Sequence, residues 1–303
     1  MHALSRQQLS LLVMITLVWG LNWPIMKFGV TGFPPLTFRT ICMWLGVPVL
    51  GAFLRWRRVS FTLPQAHWRE LLLLTVFNML FWHTLAILAI QSLSSGRAAI
   101  LGYTMPVFSA VIGSLWYSQR LVPRAWVGVA AAALGVLLLL WHEFTSLSGR
   151  PLGVAMMLVA AATWAVGTQM MRRTRIEAPT LTISFWMTVI TTLWMTALSL
   201  LFERGDWVAP SPAQWGAIVY NALGVFAFAQ VAWLMLAREL PPIASTLSVM
   251  FIPVLGVFSG AWWLGEVLHW QDWAAVGLVM ASIATVLWPP RSTAARVAAP
   301  RGG

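Results

Sequence analysis

Asn22, Asn78, His83, Tyr103, Thr104, Thr168, Gln230 and Ser248 stand deep inside long apolar runs, where a polar side chain needs a reason to be. Surrounded by hydrocarbon, such a group is costly and turns toward a bundle interior or a water-filled space. Two roles are open to it: interhelical hydrogen bonding, worth roughly 0.6 kcal/mol each, or contact with a ligand. His83 stands apart as the one clearly central ionisable side chain, able to exchange a proton near neutral pH. Pro24, Pro48, Pro106 and Pro253 lie in the same runs, and each removes a backbone hydrogen bond, freeing the carbonyls of Gly20, Trp44, Gly102 and Val249. A freed carbonyl persists in lipid only where a neighbour satisfies it or a cavity wets it. Helix breaks are therefore expected at Pro24, Pro106 and Pro253. Tryptophan is the third signal, with 20 residues against 3 tyrosines. Trp68, Trp141, Trp207 and Trp288, near the ends of runs, fit an interfacial belt. Trp19, Trp82, Trp164 and Trp233 lie deeper, as packing or as the wall of a pocket for flat, apolar or cationic groups.

Other chemistry finds no support. The eight acids (Glu70, Glu143, Glu177, Glu203, Asp206, Glu239, Glu266 and Asp272) lie in loops or near the ends of runs. No HExxH, no glycine–serine nucleophile site and no acid pair occurs within a run, so an enzyme reading lacks catalytic residues. Cys42 is the only cysteine, which rules out a disulfide framework or a cysteine metal cluster. No metal and no cofactor are expected.

The elements that position these residues follow from composition. Hydrophobic residues make up 59% of the 303-residue chain and charged residues 9%, with a mean hydropathy of +0.79. A soluble domain of ordinary composition carries about 25% charged residues, so lipid has to be the solvent. Ten segments are apolar and long enough to span a bilayer: 9–30, 34–54, 68–90, 93–117, 122–141, 152–171, 180–202, 213–237, 243–264 and 272–289. The net charge of +11 does not indicate nucleic acid, because the basic residues fall in short loops rather than in a patch. With both termini in the cytoplasm, 14 of the 19 Lys and Arg lie in cytoplasmic loops or tails, as the positive-inside bias requires. The first segment reads as an uncleaved helix, and 291–303 as a basic cytoplasmic tail. Lys27, Arg39 and Arg97 fall near the outer ends of their spans. They either snorkel to headgroups or form a basic mouth that meets substrate carboxylates.

The chain also repeats itself. Sliding Ala98–Trp141 onto Ser245–Trp288 without gaps matches nine of 44 positions, among them Pro106/Pro253, Trp116/Trp263, Trp126/Trp273 and Trp141/Trp288. Under the same shift of 147 Gln230 falls on His83, and a shift of 145 sets Trp19 on Trp164. Each repeat holds five helices; five is odd, so the second copy enters the membrane from the opposite side. The fold expected is all-α and integral to the membrane, with ten helices as two inverted five-helix repeats around a central cavity. The repeats are placed at 1–141 and 152–290, joined by an external loop at 142–151.

Several short motifs share one order with a known family: Trp19-Gly20 with Asn22 and Lys27, Pro35 followed by Arg39, Tyr103-Thr104-Met105-Pro106, and Phe251-Ile252-Pro253 ending in Leu264-Gly265-Glu266. Together they resemble the EamA-type transporters of the drug/metabolite transporter superfamily, along essentially the whole chain. The likeness is greatest to the bacterial amino-acid exporter branch, including the YddG-like aromatic amino-acid exporters. Two departures stand out. The family's glutamate after the fourth span is Gln119 here, while Glu266 is kept, and the second repeat has Ser184 where the first has Arg39.

The resemblance implies an inner-membrane secondary transporter exporting neutral amino acids, aromatic ones included, or similar small metabolites. Efflux of drugs or aromatic cations is the alternative. Substrate contacts are expected from Trp19, Asn22, Asn78, Trp82, His83, Tyr103, Trp164, Thr168, Gln230 and Ser248, in a cavity lined by spans one, three, four, six, eight and nine. The partners implied are a small-molecule substrate and the bilayer, without nucleic acid.

Overall fold

A computed structural model describes residues 5–118, 123–145, 150–236 and 242–287, with side chains left aside at 140, 142–145, 234–236, 242–249 and 286–287. The tail at 291–303, Gln119 and the side chain of Ser248 lie outside the described residues. The described chain is helical, in ten spans: α1 Arg6–Val30, α2 Pro35–Trp56, α3 Gln65–Ser92, α4 Ser95–Tyr117, α5 Pro123–Thr145, α6 Pro151–Met171, α7 Thr180–Phe202, α8 Pro212–Trp233, α9 Pro242–Leu264 and α10 Trp270–Leu287. Seven of them, α1–α4 and α6–α8, are by themselves long and apolar enough to cross a bilayer. Helix starts follow local chemistry. Ser5/Gln8 and Ser211/Gln214 form reciprocal capping boxes, and Pro35, Pro151 and Pro212 occupy the first turn, where no N–H is missed.

The surface is inverted relative to a soluble protein. Leu9, Val13, Leu17 and Leu21 form an exposed apolar stripe along α1, while Asn22, Arg39, Thr104 and Asn221 are buried. Small residues let helices approach closely inside. A side chain added at Gly96 would stand 3.1 Å from the Val257 backbone, and one at Gly256 would stand 2.8 Å from Ala99, so α4 and α9 cross almost backbone to backbone.

Helix packing follows a two-fold pattern. The α5–α10, α2–α7 and α4–α9 pairs join equivalent helices of the two halves, and α1–α9 is answered by α6–α4, α3–α6 by α8–α1, and α2–α8 by α7–α3. Local backbone repeats as well. A π-helical turn at Val76–Leu80 in α3 lies, under the shift of 147, within the π-helical stretch Tyr220–Ala229 of α8. Under that shift Ser118 (φ 52°) and Gly265 (φ 66°) also correspond, each ending its helix in a left-handed residue.

The prolines divide. Pro106 marks a real interruption: regular helix stops at Gly102, Tyr103 and Thr104 form a turn, and helix resumes at Met105. The breaks expected at Pro24 and Pro253 are absent, since α1 and α9 run through them as continuous helix. A single lost hydrogen bond is not enough to stop a helix that is packed along its length, and both prolines are buried against neighbours. At Pro106 the helix before the turn ends at Gly102, where a Cβ would stand 2.8 Å from the Trp23 ring, and the Thr104 hydroxyl donates to the Leu101 carbonyl at 2.6 Å, stabilising the turn.

Candidate functional site

The polar residues expected to meet at one cavity fall into two clusters. The first lies between α3 and α6. Asn78, in the α3 π turn, donates to the Trp164 carbonyl at 3.4 Å, and Thr168 donates to the same oxygen at 2.9 Å. Trp164 packs on Trp82 with ring centroids 5.3 Å apart. Gly167 makes this closeness possible, because a Cβ there would sit 2.5 Å from the Asn78 Cβ. Gln169, nearly fully buried, donates from Nε2 to the Ser109 carbonyl at 2.6 Å and ties α6 to the second half of α4. Arg173 in turn donates to the Gln169 amide oxygen and stacks 3.7 Å above the Tyr117 ring. Gln169 and Ser109 are not among the expected site residues, although a glutamine late in an apolar run carries the same signal as Gln230.

The second cluster lies among α1, α2, α3 and α8. His83 is 7% exposed, its Nδ1 has no hydrogen-bond partner, and its ring centre is 5.4 Å from that of Phe226. The Arg39 guanidinium stands over the same Phe226 ring at 5.6 Å, so one aromatic ring carries an imidazole and a cation. An Arg39 terminal nitrogen also lies 2.8 Å from the Met26 sulfur. Asn22, one turn before Met26, and Asn221, one turn before Phe226, are buried with side-chain oxygens unpartnered. Trp19 packs on Trp233 at 5.6 Å. The α1–α8 helix pair is the repeat counterpart of the α3–α6 pair, although under the shift of 147 Trp82 falls on Ala229, one turn before Trp233. Trp19 and Trp164 thus wall two equivalent places rather than one.

Among the described residues, Tyr103 and Gln230 make no hydrogen bond or ring contact with either cluster. Tyr103, at the α4 break, turns its ring toward Trp23 at 6.3 Å. Gln230 is half-buried where α8 leaves its π stretch. A cavity of about 680 Å³ does open in the bundle, but elsewhere. It lies between the α1–α2 turn, α3 and α7, lined by Phe33, Thr84, Leu88, Gln91, Leu198 and Glu203, with no expected site residue in its wall.

The three basic residues placed at span ends have distinct roles. Lys27 donates to the Ile90 and Gln91 carbonyls at 3.1 and 2.8 Å, closing the end of α3. Arg97 pairs with Asp272 at 2.7 Å. Arg39 does not snorkel: it is 4% exposed and its Nε has no partner. Snorkelling was a natural expectation for a residue one turn into a span, but the first turn of α2 is covered by α7 and α8, which leaves the side chain no route to headgroups.

Among the described residues no three His, Cys, Asp or Glu side chains converge as metal ligands.

Comparison with known proteins places this arrangement. A family model described as the EamA-like transporter family matches twice, at residues 8–141 and 151–288. The Bacillus subtilis "uncharacterized transporter YoaV" is 24% identical over 84% of this chain and 86% of its own length. The Escherichia coli "uncharacterized inner membrane transporter YedA" is 27% identical over 89% of this chain and 87% of its own. A Salmonella typhimurium "probable amino-acid metabolite efflux pump" is 27% identical over 92% and 94%. A solved crystal structure with 19% identity superposes at a TM-score of 0.67, covering 93% of this chain and 98% of that one, and shows the shared fold.

Proposed function

The chain belongs to the EamA-like transporter family, and we propose that it works there as a secondary transporter that exports neutral amino acids, aromatic ones included, or similar small metabolites across the inner membrane by alternating access. One observation carries the reading. The two halves present equivalent packing, corresponding π segments and a tryptophan pair across each of two counterpart helix pairs, with buried polar groups left without partners. Two near-equivalent halves can exchange conformations at little energetic cost, which is the physical basis of alternating access in inverted repeats. The Salmonella relative described as a probable amino-acid metabolite efflux pump supports the substrate class.

Counterflow tests it. Purified protein in liposomes preloaded with unlabelled leucine or phenylalanine should accumulate the labelled amino acid transiently, and protein-free liposomes should not. Accumulation of ethidium without any amino-acid counterflow would replace amino-acid export with cation efflux. The proposed orientation puts both termini in the cytoplasm. A cysteine at Asp206, with Cys42 replaced, should then react with an impermeant thiol reagent in intact cells, and one at Arg58 only in inverted vesicles.

A further inference from the structure

Arg39 is a buried cation without a counter-charge. Among the described residues no carboxylate pairs with it: Glu203 and Glu266 are held by backbone amides, Asp272 by Arg97, and Glu70 by Thr174 and Arg175. The guanidinium rests against the Met26 sulfur and the Phe226 ring, and both are weak compensation for lost hydration. A guanidinium in a membrane bundle normally finds an anion, and its planar fork matches a carboxylate in a bidentate pair. The second repeat offers Ser184 at the equivalent position, so the charge is not required by the symmetric architecture.

The surroundings are complementary to more than an anion. Asn22 Oδ1, Asn221 Oδ1 and His83 Nδ1 are buried and unpartnered; Asn22 and Asn221 lie one turn before Met26 and Phe226, and the His83 ring packs on Phe226. Amide oxygens accept hydrogen bonds, and so does an unprotonated imidazole nitrogen. A donor fork beside a set of free acceptors, with an aromatic ring alongside, is the complement of a zwitterion with an apolar side chain.

We infer that Arg39 binds the α-carboxylate of the transported amino acid, with Asn22, Asn221 and His83 facing its ammonium group. The inference rests on the amino-acid reading above and sharpens it: the free carboxylate is the recognised feature. Decarboxylated amines and amino-acid amides are thereby excluded, and with them purely cationic drugs.

The test uses the detergent-purified full chain and equilibrium binding of three probe sets. They are labelled leucine and phenylalanine, their amides and decarboxylated amines, and 4-methylpentanoate and 3-phenylpropanoate, which keep the carboxylate and lose the ammonium. The wild type should bind the amino acids at least 10-fold more tightly than the amides or amines. Arg39→Gln should weaken amino-acid binding by about 10- to 100-fold, as expected for a charge-assisted pair, and should abolish the acid-over-amide preference. Arg39→Lys should restore part of that preference. Should Arg39→Gln not fold, the lysine variant and the wild-type probe series still decide, since a residue that only packs has no reason to tell an acid from its amide. Equal wild-type affinity for acids and amides, or a preference untouched by either substitution, overturns the inference while leaving amino-acid transport standing. Binding of the two carboxylates alone, lost in Arg39→Gln, keeps the carboxylate site and overturns the amino-acid reading. Binding of no probe by the wild type overturns both.

Discussion

The Glu266 carboxylate, just beyond α9, accepts a hydrogen bond from the Ser95 backbone amide at 2.6 Å and another from the Ser95 hydroxyl at 2.9 Å. It also takes the Gly96 amide at 3.2 Å, so an acid of the second repeat caps α4 of the first. Glu203, at the end of α7, does the same to α2, taking the Leu36 and Thr37 amides at 2.9 and 2.7 Å. Both helices would otherwise bury two orphan donors, and a carboxylate there also meets the positive end of the helix. Together the two caps tie the repeats to each other at one end of the bundle. The position matching Glu266 in the first repeat is Gln119, so the charged cap is not duplicated by the repeat.

Glu266→Ala should therefore act on stability and on conformational balance, not on substrate affinity. Hydrogen bonds to a charged group are worth about 1.5–3 kcal/mol, and the thermal unfolding midpoint should fall accordingly. Glu266→Gln, which keeps an acceptor, should lose less. If Glu266→Gln leaves the midpoint unchanged but ends proton-dependent transport, this acid is a proton site and the capping account is wrong.

Gly167 and Gly216 make a matched pair for testing helix approach. A Cβ at Gly167 would fall 2.5 Å from the Asn78 Cβ and 2.6 Å from its backbone nitrogen, whereas at Gly216 nothing stands within 4 Å. Gly167→Ala should destabilise by about 1–3 kcal/mol, the usual cost of overpacking. Gly216→Ala should be neutral or stabilising by up to about 1 kcal/mol, the helix-propensity gain of alanine over glycine. Equal midpoints for the two variants would mean that α3 and α6 are not in such close contact.

Much of this architecture was legible beforehand, and the limits are instructive. The ten spans emerged within a few residues of their observed ends, because membrane helices announce themselves by length and apolarity alone. The repeat register also held: the shift of 147 aligns both π segments and both left-handed caps. Proline behaviour was not legible, because whether Pro24 or Pro253 breaks a helix depends on packing along its whole length. Arg39 was misplaced for a related reason. Depth along a helix says nothing about which neighbour covers a side chain, and α7 and α8 are more than a hundred residues away in sequence. Asn221 and Gln169 were passed over although their residue types carried the signal, and Ser248 lies among side chains outside the described residues.

The tryptophans test whether the symmetric pairs are energetic units. Trp82 and Trp164 are in ring contact at 5.3 Å, and Trp19 instead contacts Trp233 at 5.6 Å. A double-mutant cycle on Trp82→Ala and Trp164→Ala should give a coupling of about 0.5–1.5 kcal/mol, the range for aromatic pairs. The same cycle on Trp19→Ala and Trp164→Ala should be additive within about 0.5 kcal/mol. Strong coupling in the second cycle, present only with bound phenylalanine, would mean that one substrate bridges both places.

Energy coupling is the last expectation, and it follows from where the acids are. Proton-driven carriers usually keep a titratable group inside the membrane that binds a proton in one state and releases it in the other. Here Glu203, Glu266 and Asp272 are all occupied at helix ends, and Glu70 holds Thr174 and the Arg175 amide at the opposite end. Among the described residues the histidine inside the bundle is His83, buried, with Nδ1 unpartnered and its ring against the same Phe226 that Arg39 touches. His83→Asn keeps a polar side chain of comparable size but cannot exchange a proton near neutral pH. In liposomes it should lose any acceleration by an imposed pH gradient, while downhill exchange of leucine, weakened by the changed contact to the substrate ammonium, stays measurable. The control is Asn78→Ala in the other cluster, which should leave the response to the gradient intact. A His83→Asn protein that still accumulates leucine against its concentration when a proton gradient is applied would show that the proton travels by another group. A wild type indifferent to the gradient would instead make the protein a facilitator, driven only by its substrate.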